Sequence, residues 1–185
     1  MKNLRYKLER IWDIVRYDLP NFFRNLRTFR KGLWEYRWYD RHGVYVFMAA
    51  ALKDMADKTE TRGYEVDITR LKKVAKMKRA AELLNNFIED NFVDQAEAEL
   101  GELILHPFEW KPSETHTDCF ELIDNDTPEE KEHNGKIFKR SREIEESQWK
   151  ELMKILRGQD IDKYEPEKLD WDKWYNGSGL RYWWD

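Results

Sequence analysis

Cysteine is nearly absent from this sequence, and long apolar runs are absent altogether. Cys119 is the only cysteine among 185 residues, so no disulfide can form within the chain, and a reducing compartment is favoured. The longest mostly apolar run, residues 44–52, is too short to span a bilayer. Residues 1–7 contain no apolar signal core. We therefore expect a cytoplasmic protein with no membrane partner.

No set of residues in the sequence indicates a reaction. The four histidines show no metal-ligand spacing, and Cys119 has no nearby base or ligand partner, so we expect it to be a small buried residue of a strand. Glu130 and His133 have the Glu-x-x-His spacing of di-iron bundles, but those sites need two such pairs and this chain has one. We expect no cofactor and no metal site, and an enzyme is the least favoured hypothesis.

Aromatic and charged residues are abundant instead. Aromatic residues make up 15% of the chain, with nine tryptophans, which argues against disorder. Charge is distributed unevenly, because residues 1–41 contain eleven basic and five acidic residues, whereas residues 82–135 contain two basic and sixteen acidic residues. A basic front and an acidic middle either attract each other in the fold or meet different partners.

Helical periodicity dominates the apolar pattern. Cap and stop signals predict helices over residues 2–17, 20–38, 44–62, 67–100 with a break near Asp90, and 127–157 with Thr127 as its cap. The period is lost over residues 102–126, which predicts a small β-hairpin or a packed loop. We therefore expect a mainly α, bundle-like domain of about five helices over residues 1–158, followed by an acidic, aromatic segment over residues 159–185.

One face of the second predicted helix combines cations with indole rings. We call this set the basic-aromatic face, and it consists of Arg24, Arg27, Lys31, Trp34 and Trp38. Guanidinium groups pair with phosphates, and indoles stack on bases or cations, so we expect it to bind a nucleotide or a protein surface. The acidic middle would repel a long polyanion, which disfavours duplex DNA. The alternative is a helix face that is solvated or paired with the acidic segment.

The C-terminal segment is unusually rich in aromatic residues, with four tryptophans after residue 170 and a Gly-Ser-Gly hinge at 177–179. Exposing so much indole to water is unfavourable, so the segment either packs on the helical core as a strap or docks on a partner. Trp, Tyr and Arg dominate interface hot spots. The candidate partner-binding residues are Arg181, Tyr182, Trp183, Trp184 and Asp185. Both hypotheses are compatible with a homo-oligomer.

Four blocks of the sequence resemble a group of uncharacterised proteins encoded by tailed bacteriophages. These blocks are residues 18–25, 62–67, 71–80, and the ending formed by 177–179 and 183–185. The resemblance covers nearly the whole chain, contains no catalytic motif, and implies a phage product in the cytoplasm of a bacterial host. We expect a non-enzymatic accessory protein that binds and sequesters or inhibits a host factor, either a defence protein or its nucleotide signal. The alternative is a structural or assembly protein of the phage particle that docks through its C-terminal tail.

Overall fold

The computed structural model describes residues 2–63, 65–113, 116, 118–158 and 179–183. Its regular elements are α1 (Lys2–Asp13), a π-helical turn (Ile14–Asp18), α2 (Leu19–Glu35), α3 (Arg41–Arg62), α4 (Asp67–Glu89), α5 (Phe92–Leu100), β1 (Glu109–Pro112), β2 (Phe120–Ile123), α6 (Pro128–Arg157) and a 3-10 turn (Leu180–Tyr182). This arrangement confirms the predicted mainly α fold with a small hairpin insert. The chain divides into two compact units, residues 90–149 and the described parts of 1–89 with 150–185.

The first two helical segments form one continuous helix over residues 2–35, which we call the N-terminal helix. The residues that flank the π turn keep right-handed helical dihedrals, and the Leu19 N–H donates to the Ile14 carbonyl. Pro20 has no N–H, and in a regular α-helix its ring would clash with the carbonyl of Arg16. A wider π turn just before Pro20 relieves this clash and lets the helix continue. The prediction of a new helix that begins at Pro20 is therefore wrong.

Helices α3 and α4 supply most of the core of the first unit. Its buried residues are Ala49, Leu52, Ala56, Val74, Met77, Ala80, Ala81, Leu83, Leu84, Leu152 and Trp183. The small residues of α3 let the two helices pack closely. The Asp40 carboxylate caps the start of α3 by accepting from the His42 N–H at 2.9 Å. The Gly63 N–H donates to the Thr59 carbonyl at the end of α3, where the sequence predicted a stop.

Trp183 reaches this core from the described part of the C-terminal segment. Its side chain is only 4% exposed, and it packs in the same cluster as Leu152 of α6. Gly179 begins the short 3-10 turn and lies against the end of α6, where an added Cβ would come within 2.5 Å of the Arg157 carbonyl. Only glycine allows this close approach. Trp171, Trp174, Trp184 and the rest of 159–178 lie outside the described residues.

The second unit begins where α4 ends. Asp90 has a positive φ of 52°, which turns the chain between α4 and α5 and confirms the predicted break. Gly101, with φ of 101°, ends α5 where the sequence placed its stop. Beyond it, β1 and β2 pair antiparallel, with Glu109 opposite Ile123 and Pro112 opposite Phe120. The predicted insert is therefore a two-stranded hairpin.

Helix α6 begins with the predicted reciprocal cap. The Thr127 hydroxyl accepts from the Glu130 N–H at 3.3 Å, and the Glu130 carboxylate accepts from the Thr127 N–H at 2.8 Å.

Further along α6, the buried Asn134 side chain hydrogen-bonds to both the N–H and the carbonyl of Ile104, as a neighbouring strand would. Its Oδ1 accepts from the Ile104 N–H at 3.0 Å, and its Nδ2 donates to the Ile104 carbonyl at 2.8 Å. This pair of bonds holds the chain after α5 against α6.

Throughout the described part of the chain, each helix is too short or too polar to pass through a membrane.

We expect the substitution Trp183→Ala to lower the free energy of unfolding by roughly 3–5 kcal/mol, because it leaves a cavity in the core. The control is Trp34→Ala, which removes the same side chain from a site where it is 83% exposed. Urea unfolding followed by circular dichroism measures both variants. Equal midpoints for the two variants would show that Trp183 does not stabilise the core.

Two neighbouring positions in α6 should respond in opposite directions. Asn134→Ala removes both partners of the Ile104 backbone and should destabilise by about 2 kcal/mol. Gly135→Ala adds a Cβ with no atom within 4 Å, in a helix interior, and should stabilise by about 0.5–1 kcal/mol. Urea midpoints test the pair, and a stable Asn134→Ala variant would contradict the structural role assigned to the amide.

Candidate docking surface

The N-terminal helix exposes an unusual number of large apolar and aromatic side chains. Twelve of those described between residues 6 and 34 are between 43% and 83% exposed, namely Tyr6, Ile11, Trp12, Ile14, Val15, Tyr17, Leu19, Phe22, Phe23, Leu26, Leu33 and Trp34. Single exposed apolar residues are ordinary, but a concentration of this size marks an interaction site. The apolar residues recur at helical spacing, so the helix is strongly amphipathic in both α1 and α2.

The polar residues of the same helix are mainly basic. Residues 2–35 contain nine Lys or Arg and four Asp or Glu. Arg24 donates to the Asn21 side chain at 2.8 Å, and Lys31 lies 4.0 Å from Glu35, so these two cations are held by neighbours on their own helix. Exposed pairs of this kind are weak and leave the positive potential of the surface largely in place.

Phe47 of α3 anchors the last turns of the N-terminal helix. Its ring lies 6.0 Å from that of Phe29 and 6.2 Å from that of Tyr36, measured between centroids. A Cβ at Gly32 would be 3.0 Å from the Phe47 ring, so the absence of a side chain at Gly32 allows the contact. An open, apolar cleft of about 250 Å³ lies beside this anchor, lined by Phe22, Asn25, Leu26, Phe29, Leu33 and Phe47.

All five residues of the basic-aromatic face are exposed to solvent. Four of them follow one another at spacings of three and four residues on α2, and Trp34 is 83% exposed. Trp38 lies outside the helix, because α2 ends at Glu35 and Tyr36 adopts an extended ψ of 126°. The Arg37 guanidinium donates to the carbonyls of Trp34 and Tyr36 at this end. The predicted helical continuation to residue 38 is therefore wrong.

The five candidate partner-binding residues at the C terminus are placed differently from one another. Trp183 is buried in the core, whereas Arg181 is exposed on the 3-10 turn. Tyr182 is described by its backbone alone, and Trp184 and Asp185 lie outside the described residues. A partner that bound the Trp183 side chain would first have to displace it from the core cluster that contains Leu152.

Glu130 and His133, the candidate pair, contact different partners in the structure. His133 lies 2.9 Å from the Glu102 carbonyl through its Nε2, whereas Glu130 lies 3.2 Å from the Nε2 of His106. His106, Asp126 and Glu130 bring ligand-type atoms within 4.8 Å of one another. The Glu130 carboxylate also accepts from the Thr127 N–H, and these contacts hold its pKa below the ordinary value. The cap of α6 thus accounts for the position of Glu130 in this cluster.

Two further observations concern the hairpin. Cys119 is exposed and precedes β2, so the prediction of a buried strand residue is wrong. Trp110 lies opposite Leu122 and Pro112 opposite Phe120, so these residues share one face of the hairpin, and the three large side chains are 48–66% exposed. Sequence reasoning did not single out this apolar face. Its signal is the alternation in 120–123, which is too short to distinguish a buried face from an exposed one.

The fold and this surface define a class of protein, which is mainly α-helical and has an exposed, basic, amphipathic helix. The chain belongs to the family described as Protein of unknown function (DUF2396), whose model matches residues 22–141. The matched range begins within α2 and ends within α6, so α1 and the C-terminal segment lie outside it. No curated protein matches the chain, and no solved structure matches it.

The charge on Glu130 should contribute to stability in a pH-dependent way. Because its pKa is lowered from the ordinary 4.5, chiefly by the Thr127 N–H, its contribution is complete above about pH 4.5 and is lost as the pH falls through the lower folded-state pKa. Gln can keep the cap without the charge. The melting temperature of Glu130→Gln should therefore fall below that of the wild type at pH 7 and converge with it towards pH 3.

The matched control for this measurement is Glu129→Gln, which removes an exposed charge from the same helical turn. This control separates the loss of the Thr127 contact from the loss of one negative charge in the first turn of α6. Parallel curves for Glu130→Gln and the wild type would contradict the assigned contribution of the Glu130 charge.

Proposed function

We propose that the protein is a non-enzymatic binding protein that holds a macromolecular partner along its N-terminal helix. The observation that carries this proposal is the set of twelve exposed apolar side chains on a helix whose polar residues are mainly basic. Leaving this much apolar surface in water is unfavourable at about 25 cal/mol per Å². Covering it with a partner would release that free energy.

The shape of the surface favours a macromolecule over a small ligand. Small-molecule sites are concave and enclose most of the ligand. Four residues of the basic-aromatic face lie on a convex helix, Trp38 follows its end, and none of the five lines the cleft beside Phe47. That cleft is open, and its lining contains one polar residue, Asn25, and no charged residue. These features favour a protein or another extended surface and give less support to a nucleotide signal.

Most of the pKa shifts among the described residues come from ion pairs or a helix cap, and the exception is Lys76, whose pKa is lowered by burial. Active sites shift pKa values to match a reaction. Here the pKa of Arg79 is raised mainly by its hydrogen bonds to Glu151, and the pKa of Arg140 is raised by Glu99. Both are ion pairs between helices of the same unit. Such pairs join secondary-structure elements, which is a structural role.

The bacteriophage resemblance supplies a setting for this proposal. In the cytoplasm of a bacterial host, a protein that covers a surface of a host component would sequester or inhibit it, and a defence protein is one such component. A structural or assembly role through the C-terminal tail has less support, because the Trp183 side chain already packs in the core of its own unit.

Site-specific photo-crosslinking in cells tests the proposal. We expect a benzophenone amino acid in place of Val15 to form adducts on irradiation, because Val15 is exposed in the middle of the apolar surface. The matched control replaces Asp13, which lies two residues away and about 160° around a regular helix. Mass spectrometry of the digested protein measures how much of each labelled peptide is consumed.

Consumption at position 15 that is several-fold greater than at position 13 is the expected result. Equal consumption at both positions, or none at either, would show that the apolar side of the helix has no partner in the cell. Circular dichroism of both labelled proteins establishes that the helix is intact.

A further inference from the structure

We propose that the N-terminal helix docks on an anionic phospholipid membrane and lies in the plane of the interface. This inference rests on the proposed function and names the partner of the same surface. A membrane-surface helix combines strong amphipathicity and low overall hydrophobicity with Lys and Arg on its polar face and Trp, Phe and Leu on the other. The helix over residues 2–35 has all of these properties.

The sequence expectation of no membrane partner was based on the length needed to span a bilayer. A helix that lies in the interface buries one face to a depth of about 5–10 Å, so it needs no apolar span. Its requirement is an extended apolar side, and residues 11–26 provide this over about 24 Å at 1.5 Å per residue. A long, convex surface of this kind fits a fluid lipid surface, which adapts to its shape.

The aromatic residues match the chemistry of the membrane interface. Trp and Tyr prefer the depth of the lipid headgroups. Trp12 is 62% exposed beside the apolar side, whereas Tyr6 and Tyr17 share the polar side with Asp13 at helical spacings of seven and four residues. Phe22 and Phe23 pack edge to face at 5.6 Å and are both more than half exposed. Trp12, Phe22 and Phe23 would reach the acyl boundary while neighbouring cations meet the headgroups.

Charge selects an anionic membrane over a neutral one. Residues 2–30 contain eight basic and three acidic residues, although the whole chain has a net charge of −4. Long basic side chains lie along apolar surface and place their charges in the headgroup region. The acidic residues are concentrated in 82–135, which an anionic surface would repel. Attraction is therefore strongest along the N-terminal helix.

A second copy of the chain is a weaker candidate for the occupant. Pairing two N-terminal helices along their apolar sides would bring together two segments that each have an excess of five positive charges over residues 2–30. Like charges held close together oppose association. An anionic lipid surface offers the opposite charge along the whole length of the helix.

Flotation with vesicles tests the inference on the 185-residue protein. We expect it to float with vesicles of equal parts phosphatidylcholine and phosphatidylglycerol, and at least tenfold less with phosphatidylcholine alone. Removing two charges by Arg10→Gln with Arg16→Gln should weaken binding by roughly tenfold or more, given about fivefold for each basic residue near the surface. High salt should weaken it in the same direction.

The apolar side is tested with a matched pair of double variants. Ile11→Ser with Val15→Ser removes two exposed apolar side chains from the helix and should abolish flotation. Leu105→Ser with Phe108→Ser removes two that are 75% and 80% exposed in the other unit, and should leave flotation unchanged. Because all four residues are exposed, urea midpoints of the two variants should stay close to that of the wild type.

The single cysteine allows a direct measurement of insertion. In a Cys119→Ser background, an environment-sensitive NBD dye on Val15→Cys should become brighter and shift to shorter wavelength on adding the anionic vesicles. The same dye on Asp13→Cys should change much less, because this position lies on the polar side. Equal changes at the two positions would contradict an in-plane helix.

The outcomes separate this inference from the proposed function. Absence of flotation together with persistent crosslinking at position 15 would overturn the membrane partner and leave a protein partner in its place. Equal binding to neutral vesicles would overturn the role of charge. Dimers in light scattering that disappear in Ile11→Ser with Val15→Ser, without flotation, would identify a second copy as the occupant. Absence of both flotation and crosslinking would overturn the two proposals together.

Discussion

The contact between Phe47 and the end of α2 determines how the N-terminal helix is held. Gly32 brings the backbone of α2 against the Phe47 ring, and Phe29 and Tyr36 contribute aromatic rings beside it. At this anchor Gly32 is buried and Phe29 is half-buried, whereas the large apolar side chains named above are exposed from Tyr6 to Leu26. The anchor therefore leaves the first two-thirds of the helix available for a partner.

Basic and acidic residues are concentrated in different parts of the chain. The largest basic excess lies in the first 41 residues, and the acidic excess lies in 82–135. An isolated surface helix is marginal in water, because helix formation alone supplies little stability. Attachment to α3 keeps the helix formed before it meets a partner, which reduces the entropy lost on binding.

Much of the architecture was predictable because its signals are local. The Thr127 cap, the stops at Gly63 and Gly101 and the break at Asp90 each depend on residues within one turn of the feature. The prediction of a new helix at Pro20 was wrong because a proline is compatible with two structures, a new helix or a π turn that accommodates its ring within a continuing helix. The buried position expected for Cys119 failed because a four-residue strand does not specify what covers it.

The sequence by itself determined the helical fold, the position of a non-helical insert and the presence of a basic, aromatic, amphipathic segment near the start, and the structure showed that the insert is a hairpin rather than a packed loop. The tertiary structure alone decided which apolar residues are covered, because coverage depends on contacts between residues far apart in the chain. Trp183 lies in the core, whereas Trp34 lies in water. The tertiary structure also placed His106 beside Glu130, 24 residues away. The periodicity of the sequence shows that one face of a helix is apolar, and packing decides whether the rest of the protein or a partner covers that face.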